Sequence, residues 1–417
     1  MWAVDPSLGW ITLGALALAV TLSCTTQLNV GLLSIALAWI IGVYLGGLPV
    51  EQIAAGFPIN LFLTLAGVSL LFSQANVNGT LEKVAQEAVR LCRGRVGLVP
   101  ISYFVLGALL ASIGPGNIAT TGLLAPMAMA TAMRMGIPLF LMAIMVGNGA
   151  NSGSLSPFAP TGVIVTELMA KIGLPGLEWR TWSYNLAAHA VVAFAGYFLF
   201  GGVKLIVRPE KVVTAAEASK PLDRSQLITL MVIALLIVGV VVADVSIGMA
   251  AFAGAVVLSL FRAADEQEAI KRMPWGSILM VCGVTVLVTL LQKTSGMDIF
   301  TGLLAKVASP DSIIPFLAVL IGLISAYSST SGVVLPFFLP MAPGLVQSVG
   351  GGTVLGIAST MNVAGHLVDV SPLSTIGALC IASIPAGKEN RRLFNQLLAW
   401  GISMTGAGAV ISWLFFG

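Results

Sequence analysis

Two short, hydroxyl-rich turns are the parts of this chain best suited to binding chemistry. The first runs from Gly116 to Pro126 and the second from Ala326 to Pro336, each in strongly apolar surroundings. Irregular backbone at membrane depth is tolerated only where it is buried in protein or lines a cavity. Paired interruptions at matching positions of two halves indicate a transporter's binding site. The two turns therefore predict one site built from two similar parts.

A second pair of interruptions follows the turns, at Gly147–Pro157 and at Met361–Pro372. Glycines punctuate both stretches and prolines close them, so we expect neither to be a continuous helix. Both stretches are also rich in amide and hydroxyl side chains, which are costly in a membrane unless they face water, ions or substrate. Packing of small residues between helices explains the glycines but not the asparagines.

The candidate ligands fall into two sets. Helix N-termini, hydroxyl groups and amides can hold substrate carboxylates, and the residues expected to do so are Asn117, Thr120, Thr121, Asn151, Ser152, Ser329, Thr330, Ser331, His366 and Ser371. Side-chain oxygens and freed carbonyl groups suit a dehydrated sodium ion, and the expected ligands are Asn117, Asn148, Ser154, Ser328, Asn362 and Asp369. Ser and Thr can also simply bond back to their own helix, but two clusters at matching positions favour a site.

His366 and Asp369 distinguish the second half from the first. Asp369 is the carboxylate expected deepest in the membrane, and His366 precedes it by three residues. As a pair they could relay a proton, bind a cation or orient a substrate. The alternative is a neutral structural pair. His189, alone in an apolar span, is expected to form a hydrogen bond between helices.

The composition places the chain in a membrane. Of its 417 residues 57% are hydrophobic and 9% charged, and the mean hydropathy is +0.99. These values exclude a soluble globular domain and predict a multi-pass membrane protein. The chain has no basic block that would bind nucleic acid. Its four cysteines lack metal-ligand spacing, so we expect no cofactor besides coupling ions, and we expect no enzyme.

An internal repeat organises the chain. A register offset of 216 to 217 places Pro58 on Pro274, Gly67 on Gly283 and Gly79 on Gly296. We predict an all-α protein of two inverted repeats, with about ten spans and two re-entrant hairpins. The predicted domains are a first repeat at 1–207 (scaffold 8–75, transport elements 96–171), a cytoplasmic linker at 208–224, and a second repeat at 225–417 (scaffold 225–292, transport elements 312–383).

The distribution of Lys and Arg supports the re-entrant hairpins. With hairpins and an outside N-terminus, sixteen of the twenty basic residues lie on the cytoplasmic side and four outside. Cytoplasmic loops carry such an excess. If both apolar arms crossed fully, the asymmetry would weaken. We therefore predict a protein of the cell (inner) membrane with both termini outside.

At the two turns the chain resembles the ion transporter superfamily, most closely the divalent anion:sodium symporters and the malonate-carrier-like dicarboxylate carriers. That family has a Ser-Asn-Thr signature at each hairpin tip, followed by Ala-Thr and a later Pro. The first turn keeps Asn117, Thr120, Thr121 and Pro126. The second turn lacks the Asn, since Tyr327 precedes Ser328, but it keeps Thr330 and Pro336.

The resemblance implies an elevator mechanism, in which hairpins and broken spans slide against a scaffold that also forms a homodimer. It implies one sodium site per tip and a di- or tricarboxylate between them, most naturally a C3 or C4 dicarboxylate, imported with sodium. Tyr327 and His366 leave proton coupling open as the alternative. Other readings are the large membrane subunit of a tripartite, binding-protein-dependent carrier, a channel, and an intramembrane enzyme. No serine has a recognisable nucleophile setting, and an enzyme would not need its site twice.

Overall fold

The computed structural model describes residues 6–26, 28–90, 95–206, 221–243, 245–385 and 387–417. Every regular element within these ranges is helical. Most of the predicted linker at 208–224 lies outside the described residues. The prediction of an all-α chain is confirmed for the part that the structure describes.

The first part of the chain contains eleven helices, most of them apolar: α1 Pro6–Thr25, α2 Val30–Trp39, α3 Val50–Ala54, α4 Ile59–Val77, α5 Thr80–Arg90, α6 Leu98–Ile113, α7 Gly116–Met135, α8 Leu139–Gly153, α9 Pro160–Lys171, α10 Glu178–Leu199 and α11 Gly202–Ile206. A π-helical turn, Ile40–Leu45, extends α2.

The second part has the same kinds of elements: α12 Arg224–Ala243, α13 Ile247–Leu260, α14 Glu266–Arg272, α15 Trp275–Lys293, α16 Gly296–Ala305, α17 Ile313–Ser325, α18 Leu335–Phe338, α19 Ala342–Val349, α20 Val354–Leu367, α21 Thr375–Ala382 and α22 Lys388–Phe416. A π-helical turn, Thr330–Val334, leads into α18, and a 3-10 turn, Val368–Val370, follows α20.

Seven helical stretches in the described ranges are long and apolar enough to cross a membrane: Ser7–Thr25, Ile59–Val77, Arg224–Ala243, Trp275–Lys293, Thr330–Val349, Val354–Ala382 and Lys388–Phe416. Shorter apolar helices, among them Val30–Leu45 and Ile247–Leu260, lie between them. Helices satisfy their own backbone hydrogen bonds, which a bilayer interior requires. The prediction of a multi-pass membrane protein is confirmed, and the count of ten spans stays a prediction.

Glycines bring helices from the two parts of the chain into backbone contact. α2 crosses α15 where Gly31 meets Gly283, and α4 crosses α13 where Gly67 meets Gly248. A methyl group at any of the four would overlap backbone atoms of the opposing helix. Small residues allow such close approach, which favours helix association in membranes through van der Waals contact.

Two hydrogen bonds between polar side chains join the same parts of the chain. The Thr12 and Thr294 hydroxyls lie 2.8 Å apart, and Asn78 Nδ2 donates to Thr229 Oγ1 at 2.8 Å. The first bond ties α1 to the end of α15, and the second ties the end of α4 to α12. The two parts are therefore interleaved rather than stacked side by side.

The expected break at Gly147–Pro157 is wrong in its position. α8 continues through Asn148, Asn151 and Ser152 to Gly153, and the irregular backbone begins at Ser154. The glycines serve helix packing instead, since Gly149 and Gly153 lie against the backbone of α6 at Phe104 and Ala108. A buried helix keeps its internal hydrogen bonds past glycine, and the chain leaves the helix only near Pro157 and Pro160.

The second expected break is displaced in the same way. α20 runs without interruption through Asn362 and His366 to Leu367, and the 3-10 turn Val368–Val370 carries Asp369. The backbone becomes extended only at Ser371, directly before Pro372. This position agrees with the restriction that proline imposes on the residue before it.

We expect Gly283→Ala to destabilise the protein by about 1–3 kcal/mol, because the new methyl group would overpack the contact with Gly31. The measurement is the thermal unfolding midpoint of the purified protein in detergent. Gly406→Ala is the matched control, since a methyl group there meets nothing within 4 Å. Alanine is the better helix former by about 0.5–1 kcal/mol, so the control should be neutral or stabilising. Equal melting of both variants would contradict the close crossing.

Candidate functional site

A cavity of about 430 Å³ lies between the two hydroxyl-rich turns. Five parts of the chain form its wall: the end of α1 with the segment that leads into α2, the start of α7, α15 at Met280, the turn before α18, and the segment from the 3-10 turn into α21. The lining residues include Ser23, Cys24, Thr26, Leu28, Asn117, Ile118, Tyr327, Ser328, Ser329, Thr330, Ser331, Asp369, Leu373 and Ser374.

The prediction of a turn over Gly116–Pro126 is wrong in its position: these residues form the first part of α7, with Pro126 inside the helix. The break between α6 and α7 is Gly114 and Pro115, and from here on these two residues with the start of α7 are called the first turn. A side chain at Gly114 would overlap the Phe72 ring, and Gly116 has a φ of 75°. Glycine is therefore required for both the close approach and the left-handed backbone. α7 starts at the cavity wall, where the first backbone N–H groups of a helix have no partner within the helix.

The second turn places four consecutive polar residues on the cavity. Ser329 caps the π-helical turn by accepting a hydrogen bond from Gly332 N at 3.1 Å. Ser328 lies with its hydroxyl 2.9 Å from that of Ser23 on α1. Ser329 is exposed, and Ser331 is half-buried. The hydroxyl of Ser329 and the N-terminal backbone of the π turn are therefore positioned to meet a ligand.

Thr330 connects the second turn to the segment after α20. Its hydroxyl lies 2.8 Å from Asp369 Oδ1 and 3.3 Å from the carbonyl oxygen of Gly365. Ser374 is a second hydroxyl partner of the Asp369 carboxylate. The carboxylate thus lies on the cavity wall among hydroxyl groups. Oxygen ligands of this kind are the ones that sodium accepts.

Asn151 holds the first turn to the helices behind it. Asn117 Nδ2 donates to Asn151 Oδ1 at 2.8 Å, and Asn151 Nδ2 donates to the carbonyl oxygen of His366 at 3.1 Å. Asn185 on α10 donates to the backbone oxygen of Asn151 at 2.8 Å. Asn151 is fully buried. It therefore acts on the cavity through Asn117 and not by direct exposure.

His366 belongs to a buried polar layer behind the cavity. His366 Nδ1 lies 2.8 Å from the carbonyl oxygen of Asn362, and His189 Nδ1 lies 2.9 Å from Asn148 Oδ1. Asn148 Nδ2 donates to the Ile144 carbonyl oxygen at 2.8 Å. All four side chains are buried, and none of them lines the cavity. The expected hydrogen bond of His189 between helices is present, linking α10 to α8.

The remaining predicted residues lie away from the cavity. Ser152 and Ser154 bond back to the carbonyl oxygens of Gly149 and Asn151, both at 2.7 Å. Ser371 Oγ accepts a hydrogen bond from Leu373 N at 3.3 Å. Thr120 and Thr121 are buried in α7, and within the described residues their hydroxyls have no hydrogen-bond partner. Bonds of this local kind act on backbone conformation.

The end of α1 is the part of the cavity wall that sequence reasoning missed. Ser23, Cys24 and Thr26 line the cavity, as does Leu28 directly after the helix. The sequence signal was present, because Thr21–Thr26 is an unusually hydroxyl-rich end for an apolar span. The corresponding span of the second half has no such end, so the internal repeat does not mark these residues.

The cavity contains no basic side chain among its described lining residues, and Asp369 is its one carboxylate. An anion in this cavity would therefore meet helix N-termini and hydroxyl groups, but no side-chain counter-ion. Charges in a low-dielectric environment are costly unless they are paired.

The fold matches solved membrane transporters. The YdaH transporter of Alcanivorax borkumensis superposes with a TM-score of 0.59 at 14% identity, covering 98% of this chain and 97% of that one. MtrF of Neisseria gonorrhoeae, described with a class of antimetabolite efflux pumps, superposes with a TM-score of 0.55 at 15% identity, covering 90% and 84%. The chain shares the fold of these two proteins.

The sequence comparison agrees over the first part of the chain. Residues 7–154 match the family model described as Dicarboxylate carrier protein MatC N-terminus, about a third of the chain. No curated protein matches the sequence. The resemblance to dicarboxylate carriers is thus supported over α1 to α8, which include the first turn and Asn151. The wider assignment to divalent anion:sodium symporters stays a prediction.

We expect Cys24 to react with a membrane-impermeant maleimide, because it is exposed and lines the cavity. Cys282 and Cys380 are buried and should react far more slowly, by about tenfold or more. Cys92 lies outside the described residues, so the measurement uses a Cys92→Ser background and locates the label by mass spectrometry. Labelling of Cys24 no faster than that of Cys282 would contradict an accessible cavity.

Proposed function

We propose that the protein is a secondary active transporter that imports a small organic anion, most favourably a C3 or C4 dicarboxylate, together with sodium. The observation that carries the proposal is the single cavity on which both interrupted turns meet. The match of residues 7–154 to a dicarboxylate carrier family model also supports the proposal. The turns offer helix N-termini and hydroxyl groups to carboxylates, as expected for a substrate anion.

The charge of the cavity gives a physical reason to propose coupling to sodium. A dicarboxylate beside Asp369 would bring several negative charges together with no described basic side chain to balance them. Co-bound sodium ions remove this cost and make anion affinity depend on sodium. The second turn would hold one ion near Thr330 and Asp369, and the first turn would hold another near Asn117. Proton coupling is the second candidate, because protonation of Asp369 would remove the same charge.

The proposed mechanism is of the elevator type, with the domain boundaries predicted from the sequence. The reciprocal crossings of α2 on α15 and α4 on α13 support two inverted repeats, since Gly31 and Gly248 differ in position by 217, and Gly67 and Gly283 by 216. Both differences equal the offset of the sequence repeat. The scaffold would comprise these crossed helices, and would also form the homodimer in the inner membrane, with both termini outside.

The proposal is tested by uptake of labelled succinate, malate and malonate into proteoliposomes, with and without an inward sodium gradient. Accumulation driven by sodium is the expected result. Uptake that does not depend on sodium but follows a pH gradient would show that the coupling ion is the proton. Absence of uptake under both gradients would reject C3 and C4 dicarboxylates as substrates. It would favour another substrate, or a tripartite carrier that needs its binding protein.

We expect Asp369→Asn to raise the sodium concentration for half-maximal uptake by about tenfold, which corresponds to about 1.4 kcal/mol of lost ion binding. Asp298→Asn is the matched control, because Asp298 is exposed on α16 and away from the cavity. The measurement is the initial uptake rate against sodium concentration, repeated at several pH values. A changed pH profile with unchanged sodium dependence would point to proton coupling, and no change in either would leave Asp369 a structural role.

Two further variants test the turns themselves. Asn117→Ala and Thr330→Ala should weaken sodium dependence while the protein still elutes as a folded species on size exclusion. Asn117→Ala also removes the bond to Asn151, so its melting temperature is measured alongside. Normal sodium-dependent transport by both variants and by Asp369→Asn would show that the ion ligands lie elsewhere.

A further inference from the structure

The cavity has an apolar side that dicarboxylate binding leaves unexplained. Four large apolar side chains line it and remain substantially exposed: Leu28 at 51%, Ile118 at 44%, Tyr327 at 58% and Leu373 at 45%. They come from four separate segments, namely the stretch after α1, the start of α7, the second turn and the stretch before α21. Convergence of four exposed apolar groups on one cavity is unlike single apolar residues scattered over a surface.

The size of the cavity points the same way. Its volume of about 430 Å³ lies in the range of roughly 300–1,000 Å³ that holds drug-sized ligands. The same volume of liquid water corresponds to about fourteen molecules. A four-carbon dicarboxylate fills only a small part of that space. A substrate confined to the turns would leave these four apolar side chains without contact to it.

The polar and apolar sides are arranged so that one molecule can reach both. Ile118 directly follows Asn117 at the first turn, and Tyr327 directly precedes Ser328 at the second. Leu373 is the neighbour of Ser374, a partner of the Asp369 carboxylate. Three polar residues of the cavity wall thus have an exposed apolar residue next to them in the chain. Pockets of this kind fix a ligand's orientation by a few polar groups and bind its body by apolar contact.

We propose that the transported anion is an amphipathic dicarboxylate, whose carboxylates face the two turns and whose aromatic or branched hydrocarbon substituent lies against Leu28, Ile118, Tyr327 and Leu373. This inference rests on the proposed function and narrows its substrate class. The substituent replaces water on four exposed side chains, and each buried methylene raises affinity about fourfold.

The test measures sodium-dependent uptake of succinate, methylsuccinate, butylsuccinate and benzylsuccinate into proteoliposomes, quantified by mass spectrometry of the vesicle contents. The expected result is a kcat/KM that rises along the series, with benzylsuccinate exceeding succinate by about tenfold or more. Succinate as the best substrate, with the larger compounds excluded, would overturn the inference and leave the proposed function standing. Failure of the whole series under sodium and pH gradients would reject the proposed function and the inference with it.

Two variants distinguish whether the apolar side chains contact the substrate or act in closure of the cavity. Tyr327→Ala and Leu373→Ala should lower the ratio of kcat/KM for benzylsuccinate over succinate by about fivefold. Leu235→Ala is the control, since Leu235 is 71% exposed on α12 and does not line the cavity. Equal slowing of all substrates by the two cavity variants would overturn the inference, because it would show that these side chains act in closure. Size exclusion and melting temperature confirm that each variant is folded.

Discussion

Backbone groups that leave a helix inside a membrane must find partners, and this constraint shapes the site. The chain meets it with side chains placed behind and beside each interruption. Asn151 bonds to Asn117 at the first turn and to the His366 carbonyl oxygen of α20, and Asn185 bonds to Asn151 in turn. At the second turn, Ser329 caps the π-helical segment. The interruptions are therefore held in fixed positions, and the groups left over on the cavity side are the ones available to a ligand.

The same constraint explains why glycine is abundant without breaking helices. Gly149 and Gly153 sit inside α8 and let it approach α6, and Gly31 and Gly283 do the same for α2 and α15. In water a glycine weakens a helix. In a bilayer the alternative, an unpaired backbone group, costs far more, so the helix continues. Two of the breaks occur where proline removes the N–H donor, at Pro115 and near Pro157.

These rules set what the sequence could predict. The all-helical fold and the membrane location follow from hydropathy, and the Gly114-Pro115-Gly116 break follows from its residue types, but Gly116–Pro126, predicted as a turn, begins α7. The depth of each polar residue does not follow, because it depends on which helix face meets a neighbour. Asn148, Asn362 and His366 are therefore buried behind the cavity although their sequence context resembles that of Asn117. The internal repeat does not mark Ser23 and Cys24, since a hydroxyl-rich helix end of this kind occurs in one half only.

The 3-10 turn after α20 places His366 and Asp369 in different surroundings. Three residues apart, they would share a face if α20 continued regularly. The 3-10 turn at Val368–Val370 changes the direction of the chain between them. Asp369 consequently lies on the cavity with Thr330, while His366 bonds to the Asn362 carbonyl oxygen in the layer that also contains His189. A cation or proton at Asp369 would act directly on the substrate's charge. His366 is linked to the first turn through its backbone, because its carbonyl oxygen accepts a hydrogen bond from Asn151, which in turn accepts one from Asn117.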